Sequence, residues 1–207
     1  MTTRAPRRDS VENRAGILDA ARATLANDPR ASIDVIARSA GLSRRTLYGH
    51  FDDRDALIRE LISTGAQRFN AIAASVSDAD PRIALARLAA RLWREASHVQ
   101  FAAALALDEA HIEHTAAALA PLRRSVAALV QRGQDDGSFR TDIPAPTLAR
   151  LIEEVARTVV SRTDASSSGA ANLAVRALLS IAGLSWRDAD ELLGAHRDII
   201  EAEEARS

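Results

Sequence analysis

Apolar residues recur at helical spacing along nearly the whole chain, and the breaks between the stripes are well marked. Ile17, Leu18, Ala21 and Leu25 form the first stripe, the recurrence that an amphipathic helix requires. Asp9 with Glu12 reads as its N-terminal cap, and Asn27-Asp28-Pro29 as its end. Ser32 caps a second helix, with Asp34 in the first turn complementing the helix dipole. That helix closes at Gly41, Ser43 caps a third, and Phe51 ends it. Asp52-Asp53 open a long fourth helix carrying Leu57, Leu61, Ile62, Phe69 and Ile72, and Ser77 to Pro81 form the next break.

The helical pattern continues beyond that break. Residues 81–97 carry Ile83, Leu85, Leu88, Leu92 and Trp93, followed by a less regular stretch from Val99 to Ala120. Pro121 fits the first turn of another helix, which ends near Gly133 ahead of an Asp135-Asp136-Gly137 turn. Pro144 and Pro146 precede a helix over 147–161, and Ser166 to Gly169 form a loop before one that reaches Leu184. Ser185 with Asp188 caps a last amphipathic helix over 186–204 bearing Leu192, Leu193, Ile199 and Ile200. No strand-type alternation occurs. The expected fold is all-α: a flexible basic arm over 1–8, a three-helix head over 9–53, and a helical body over 54–207.

Composition narrows the function. The chain has 207 residues, 47% of them hydrophobic but only 3% aromatic, which favours closely packed helices. It has no cysteine, which excludes disulfides and thiolate metal sites. No apolar run reaches membrane-spanning length and no signal-peptide pattern opens the chain, so a cytoplasmic protein without membrane attachment is expected. The net charge is −1, yet residues 1–50 hold nine arginines against five acids, while the remainder is acidic. A basic head on an acidic body suits local contact with DNA, because counterion release depends on the contacting face. Every basic side chain other than histidine is an arginine.

The segment Ile33 to Phe51, IDVIARSAGLSRRTLYGHF, carries the functional information. Ala37 lets a second helix approach closely, Gly41 supplies the backbone freedom of a sharp turn, and Ile36, Leu42 and Leu47 supply the hydrophobic contact that fixes the interhelical angle. This is the spacing of a DNA-binding helix-turn-helix. An ordinary helical hairpin shares the spacing, so the exposed residues decide. Ser43, Arg44, Arg45 and Thr46 open the third helix, at the end that enters a major groove. The two arginines lie about 100° apart on a helix, so they divide between base edges and phosphate. Tyr48 and His50 stand one turn further on.

Residues 32–57 resemble the TetR family of bacterial repressors. The resemblance rests on Ser32, Ile36, Ala37, Ala40-Gly41-Leu42-Ser43, Thr46-Leu47-Tyr48, His50-Phe51, Arg54 and Leu57. Arg45 stands where a glycine is frequent, Gly49 where a larger residue is common, and Arg54 where a lysine is frequent. The resemblance implies phosphate contacts from Ser32, Ser43, Tyr48, His50 and Arg54, base contacts from Arg44, Arg45 and Thr46, and interhelical packing for Phe51. Arg4, Arg7 and Arg8 are candidates for a neighbouring groove or phosphate.

For the body, the resemblance implies an effector that enters it, shifts the fourth helix and separates two DNA-binding heads. Candidate pocket residues are Trp93, His98, Phe101, Leu105, His111 and Arg157, which mix bulky apolar and polar groups; plain core packing is the competing role for each. His111 and His114, with Glu109 and Glu113 nearby, share a helical face but lack an evident third ligand, so no metal is expected. No cofactor is expected either. The stretches 147–161 and 169–184 are apolar over a wide arc and need a second partner, as a homodimer supplies. The function expected is a repressor released from a palindromic double-stranded DNA operator by a small-molecule effector. An activator or effector-independent regulator is the alternative, and from another class an all-α enzyme or metal-binding protein. Against an enzyme stands the lack of a phosphate loop, zinc-protease motif or serine elbow.

Overall fold

The computed structural model describes residues 5–98, 109–164, 167 and 169–200, with backbone alone for 5–13, 97, 98 and 109. Every regular element among the described residues is helical. They are α1 (Ala5–Asn27), α2 (Ile33–Ser39), α3 (Arg44–Tyr48), α4 (Arg54–Ser75) and α5 (Pro81–His98), then a short 3-10 turn (Glu109–His111). After it come α6 (Ile112–Ala118), α7 (Ala120–Asp135), α8 (Ala145–Arg162), α9 (Ala170–Ala182) and α10 (Trp186–Ala195). Contacts divide the chain into two units, Met1–Ala66 with Phe101–Ala118, and Gln67–Gln100 with Leu119–Ser207. The division thus falls inside α4, whereas the sequence pattern places it at residue 54.

In the first unit α1 packs on α2 and α2 on α3. Ile17, Leu25, Ile36, Leu47 and Leu57 are fully buried there, with Ala21, Ala37, Phe51 and Leu61 beside them. Each such leucine or isoleucine contributes about 1.5–3 kcal/mol by leaving water. The second unit is a helical body in which α9 packs on α5 and α8, α7 packs on α5 and α8, and α10 packs on α9. Leu85, Val130, Leu148, Val175 and Leu179 form its driest part. Gly133 on α7 is required by packing: a Cβ there would meet the Phe139 ring at 2.2 Å.

Several elements differ from expectation, among them α8, which starts at Ala145 rather than at residue 147. α1 starts at Ala5 rather than at Asp9, so half of the expected arm is helix; Pro6 falls in the first turn, where its missing N–H costs nothing. The last helix does not run unbroken over 186–204. It stops at His196, whose backbone leaves the helical region, just after Gly194 has weakened the final turn. Helical backbone resumes at Asp198, so that Ile199 is buried in the body core and Asp198 pairs with Arg87 at 3.1 Å. Within the irregular stretch, α6 is an ordered helix.

Candidate nucleic-acid interface

The turn between α2 and α3 is built by the backbone. Gly41 takes a positive φ of 69°, which residues with a Cβ adopt at a cost of roughly 1–2 kcal/mol. That twist lets the Leu42 N–H donate to the Ala37 carbonyl and the Gly41 N–H to the Arg38 carbonyl, at 2.9 and 3.0 Å. These paired bonds close the C-terminus of α2. Ser43 follows in extended backbone, and its hydroxyl accepts from the Thr46 N–H at 3.1 Å. Ser32 does the same for α2, accepting from the Val35 N–H at 3.4 Å. Both serines stand as the N-caps read from the sequence.

α3 has five residues, and only Leu47 among them is buried. Leu47 is buried in the head core, in one cluster with Ile36 and Phe51, so the remaining positions turn outward. Arg44, Arg45 and Tyr48 are exposed, and Thr46 is half-buried with its hydroxyl 2.8 Å from that of Ser43. The two arginines are not equivalent. The Arg45 side chain has no ion-pair or hydrogen-bond partner among the described residues. Arg44 places its guanidinium carbon 5.4 Å from the centre of the Tyr48 ring and its Nε 3.1 Å from Asp34 Oδ1. A hydrogen bond with Tyr48, and then the Asp34 charge, hold the Arg44 guanidinium still more firmly protonated than an ordinary arginine.

The other predicted phosphate residues divide. Ser32, Ser43 and Tyr48 are exposed and His50 is half-exposed. Arg54 instead turns to the α1–α2 loop, its Nε donating to the Ala31 carbonyl at 3.1 Å and Nη2 to the Pro29 carbonyl at 2.7 Å. It staples the start of α4 to the loop that precedes α2. Phe51 is buried between helices, with the Arg14 guanidinium 4.4 Å over its ring.

Two contributors have no place in the sequence pattern. Arg14 donates to the His50 carbonyl at 2.8 Å and pairs with Glu60 at 3.3 Å, which ties α1 to the α3–α4 joint. Asp34 reads in sequence only as a favourable charge in the first turn of α2, and its partner lies on the next helix. Neither contact has a local sequence signature, because each depends on how the helices cross.

Beyond this face, a polar cleft of about 300 Å³ lies in the first unit, lined by residues including Arg14, His50, Arg59, Glu60 and His114. His114 Nε2 lies 2.9 Å from Ser63 Oγ and 3.1 Å from the Arg59 carbonyl. A carbonyl only accepts, so that ring nitrogen carries the proton. No cluster of three or more metal-ligating side chains occurs among the described residues. Of the expected effector-pocket residues, Trp93 is buried against Ala170 and Ala174, and Arg157 is exposed and paired with Glu154 on its own helix. His111 is buried in the first unit. Phe101, Leu105 and the His98 side chain lie outside the described residues, as does Arg4, while Arg7 and Arg8 are described by backbone alone.

Residues 17–61 match the family model described as bacterial regulatory proteins, tetR family. No curated protein matches the chain. Solved structures do. PfmR from Thermus thermophilus, a TetR family transcriptional regulator, shares 20% identity with a TM-score of 0.71, over 82% of this chain and 98% of that one. The transcriptional regulator FadR from Bacillus subtilis, solved in complex with stearoyl-CoA, shares 14% identity at a TM-score of 0.71, over 82% and 97%. The ketosteroid transcriptional regulator KstR2 of Mycobacterium tuberculosis shares 21% identity at 0.65, over 82% and 93%. At these identities the likeness establishes a common fold, and no described helix is long and apolar enough to cross a membrane. Residues 17–61 thus match the model of the tetR family of bacterial regulatory proteins, and the chain shares the fold of solved TetR-family transcriptional regulators.

Proposed function

We propose that this protein is a cytoplasmic homodimeric repressor that binds a palindromic operator and leaves it when a small-molecule effector binds. The observation that carries the reading is the outward face of α3, where Arg44, Arg45, Thr46 and Tyr48 surround a single buried anchor, Leu47. Arg45, exposed and without a partner among the described residues, is the side chain best placed to read a guanine edge, and Arg44 and Thr46 flank it. Ser32, Ser43, Tyr48 and His50 meet phosphates. Arg54 serves the fold of the head in the conformation described and reaches phosphate only by leaving its loop carbonyls.

Dimerisation has support in α8 and α9. Both bury one side in the body, yet Leu151 is 36% and Leu173 52% exposed on the same helices. An apolar arc wider than one partner can cover calls for a second. A two-fold pair of heads would present its α3 helices to successive major grooves about 34–36 Å apart. An effector releases DNA only if it binds the DNA-incompetent state more tightly. The B. subtilis neighbour was solved with stearoyl-CoA bound, which is a precedent for a small-molecule ligand on this fold.

The test is to select duplexes from a randomised library, then measure affinity for the enriched duplex and a scrambled one at one salt concentration. Arg45→Ala lowers affinity for the selected duplex more than for the scrambled one, by roughly the 1–3 kcal/mol of a bidentate arginine–guanine pair. Equal losses on both duplexes refute base readout, and failure of the wild-type chain to retain any duplex refutes the regulator.

A further inference from the structure

The sequence treats Arg44 and Arg45 alike, and the structure separates them. Arg44 is the first residue of α3, where a cation faces the positive end of the helix and gains nothing from its dipole. Its charge is balanced from outside. Asp34 Oδ1 lies 3.1 Å from Arg44 Nε, although not aligned for a hydrogen bond, and the Tyr48 ring flanks the guanidinium at 5.4 Å. Asp34 is itself anchored as the second residue of α2, behind the Ser32 cap. The pair therefore joins the supporting helix to the reading helix across the turn.

A guanidinium has two hydrogen-bonding edges. The carboxylate stands beside Nε, so it leaves the terminal edge, Nη1 and Nη2, clear of Asp34, and that is the edge that matches guanine O6 and N7. A side chain biased in this way samples fewer rotamers before DNA arrives, so less is lost on binding, although the exposed pair is itself a weak interaction. The carboxylate also makes Arg44 a poor partner for phosphate. Any approach of Arg44 to the backbone brings Asp34 with it, and that charge repels the phosphates.

We propose that Asp34 is a specificity-positioning residue, which braces Arg44 as a guanine-reading fork and suppresses its use as a nonspecific phosphate contact. This rests on the DNA-binding reading above and deepens it: Arg45 reads as a free side chain, and Arg44 reads as a pre-aligned one.

The experiment uses the full-length chain and the library-selected and scrambled duplexes. Asp34→Asn keeps the shape of the side chain and removes its charge. Preference for the selected duplex falls roughly tenfold at the base pair that Arg44→Ala identifies as its own. Binding to the scrambled duplex tightens, and its salt dependence steepens by up to about one counterion. Asp34→Glu, which retains the charge, restores most of the preference. In an Arg44→Ala background, Asp34→Asn causes no further loss of preference. Circular dichroism of each variant at the assay temperature separates misfolding from misreading, and the Glu variant carries the test if the Asn variant unfolds. Wild-type preference in Asp34→Asn, or an equal loss with and without Arg44, overturns the inference while leaving DNA binding intact. A wild-type chain that selects no sequence removes the inference together with the function beneath it.

Discussion

Arg54 is the residue at which resemblance and geometry assign different work, and replacing it with alanine separates the two. The family pattern puts a cation there to hold phosphate. The structure spends it on two carbonyls of the α1–α2 loop, Ala31 at 3.1 Å and Pro29 at 2.7 Å. A hydrogen bond from a charged donor contributes about 1.5–3 kcal/mol when shielded. Here one bond is partly buried and the other is exposed, so Arg54→Ala costs about 2 kcal/mol, below the sum of two shielded bonds. For a chain of this size that lowers Tm by about 4–8 °C. Arg54→Lys recovers only part of the loss, because one ammonium cannot reproduce the fork that spans both carbonyls. The assay is thermal unfolding by circular dichroism, paired with the salt dependence of DNA affinity well below Tm. The loop role gives a lower Tm and an unchanged salt slope. An unchanged Tm with a slope shallower by about one counterion refutes it and returns Arg54 to phosphate.

Gly133→Ala places a methyl group 2.2 Å from the Phe139 ring, and overpacking of that kind costs about 1–3 kcal/mol; thermal unfolding reads it, and an unaltered Tm means that the ring moves freely. Acid stability follows Asp188, whose carboxyl is held below the ordinary aspartate range by the Ser185 hydroxyl and backbone N–H. A depressed folded value contributes stability that is complete above the unfolded value and is lost as pH falls through the folded one. Asp188→Asn therefore lowers stability at neutral pH and flattens the decline below about pH 4, as urea midpoints across pH will show; parallel profiles for the two proteins contradict this.

What the sequence made legible was whatever depends on neighbours along the chain. Ser32, Ser43 and Ser185 were readable as caps, because a cap needs only a hydroxyl at the right offset, and all three accept from the expected amides. Gly41 was readable because a left-handed residue between two apolar stripes has few alternatives. Pro121 fell in the first turn of α7 for the same local reason. The break at His196 was hidden by Ile199 and Ile200, whose spacing from Leu192 and Leu193 also suits an unbroken helix. Contacts between helices were out of reach. The pairing of Asp34 with Arg44, the reach of Arg14 to His50, and the turn of Arg54 toward the loop are set by crossing angles that no single-chain periodicity encodes. The effector residues were least legible, because Trp93 buried among alanines and a pocket-lining tryptophan look alike in sequence.

The economy of α3 has an evolutionary consequence. A single leucine commits this helix to the interior, so the side chains proposed to face a duplex carry little of the burden of folding. Lineages carrying this head can exchange residues 44, 45, 46 and 48 and wander among target sites without passing through unfolded intermediates. Address and scaffold are inherited separately, and new regulatory wiring becomes accessible by substitutions that leave the architecture untouched.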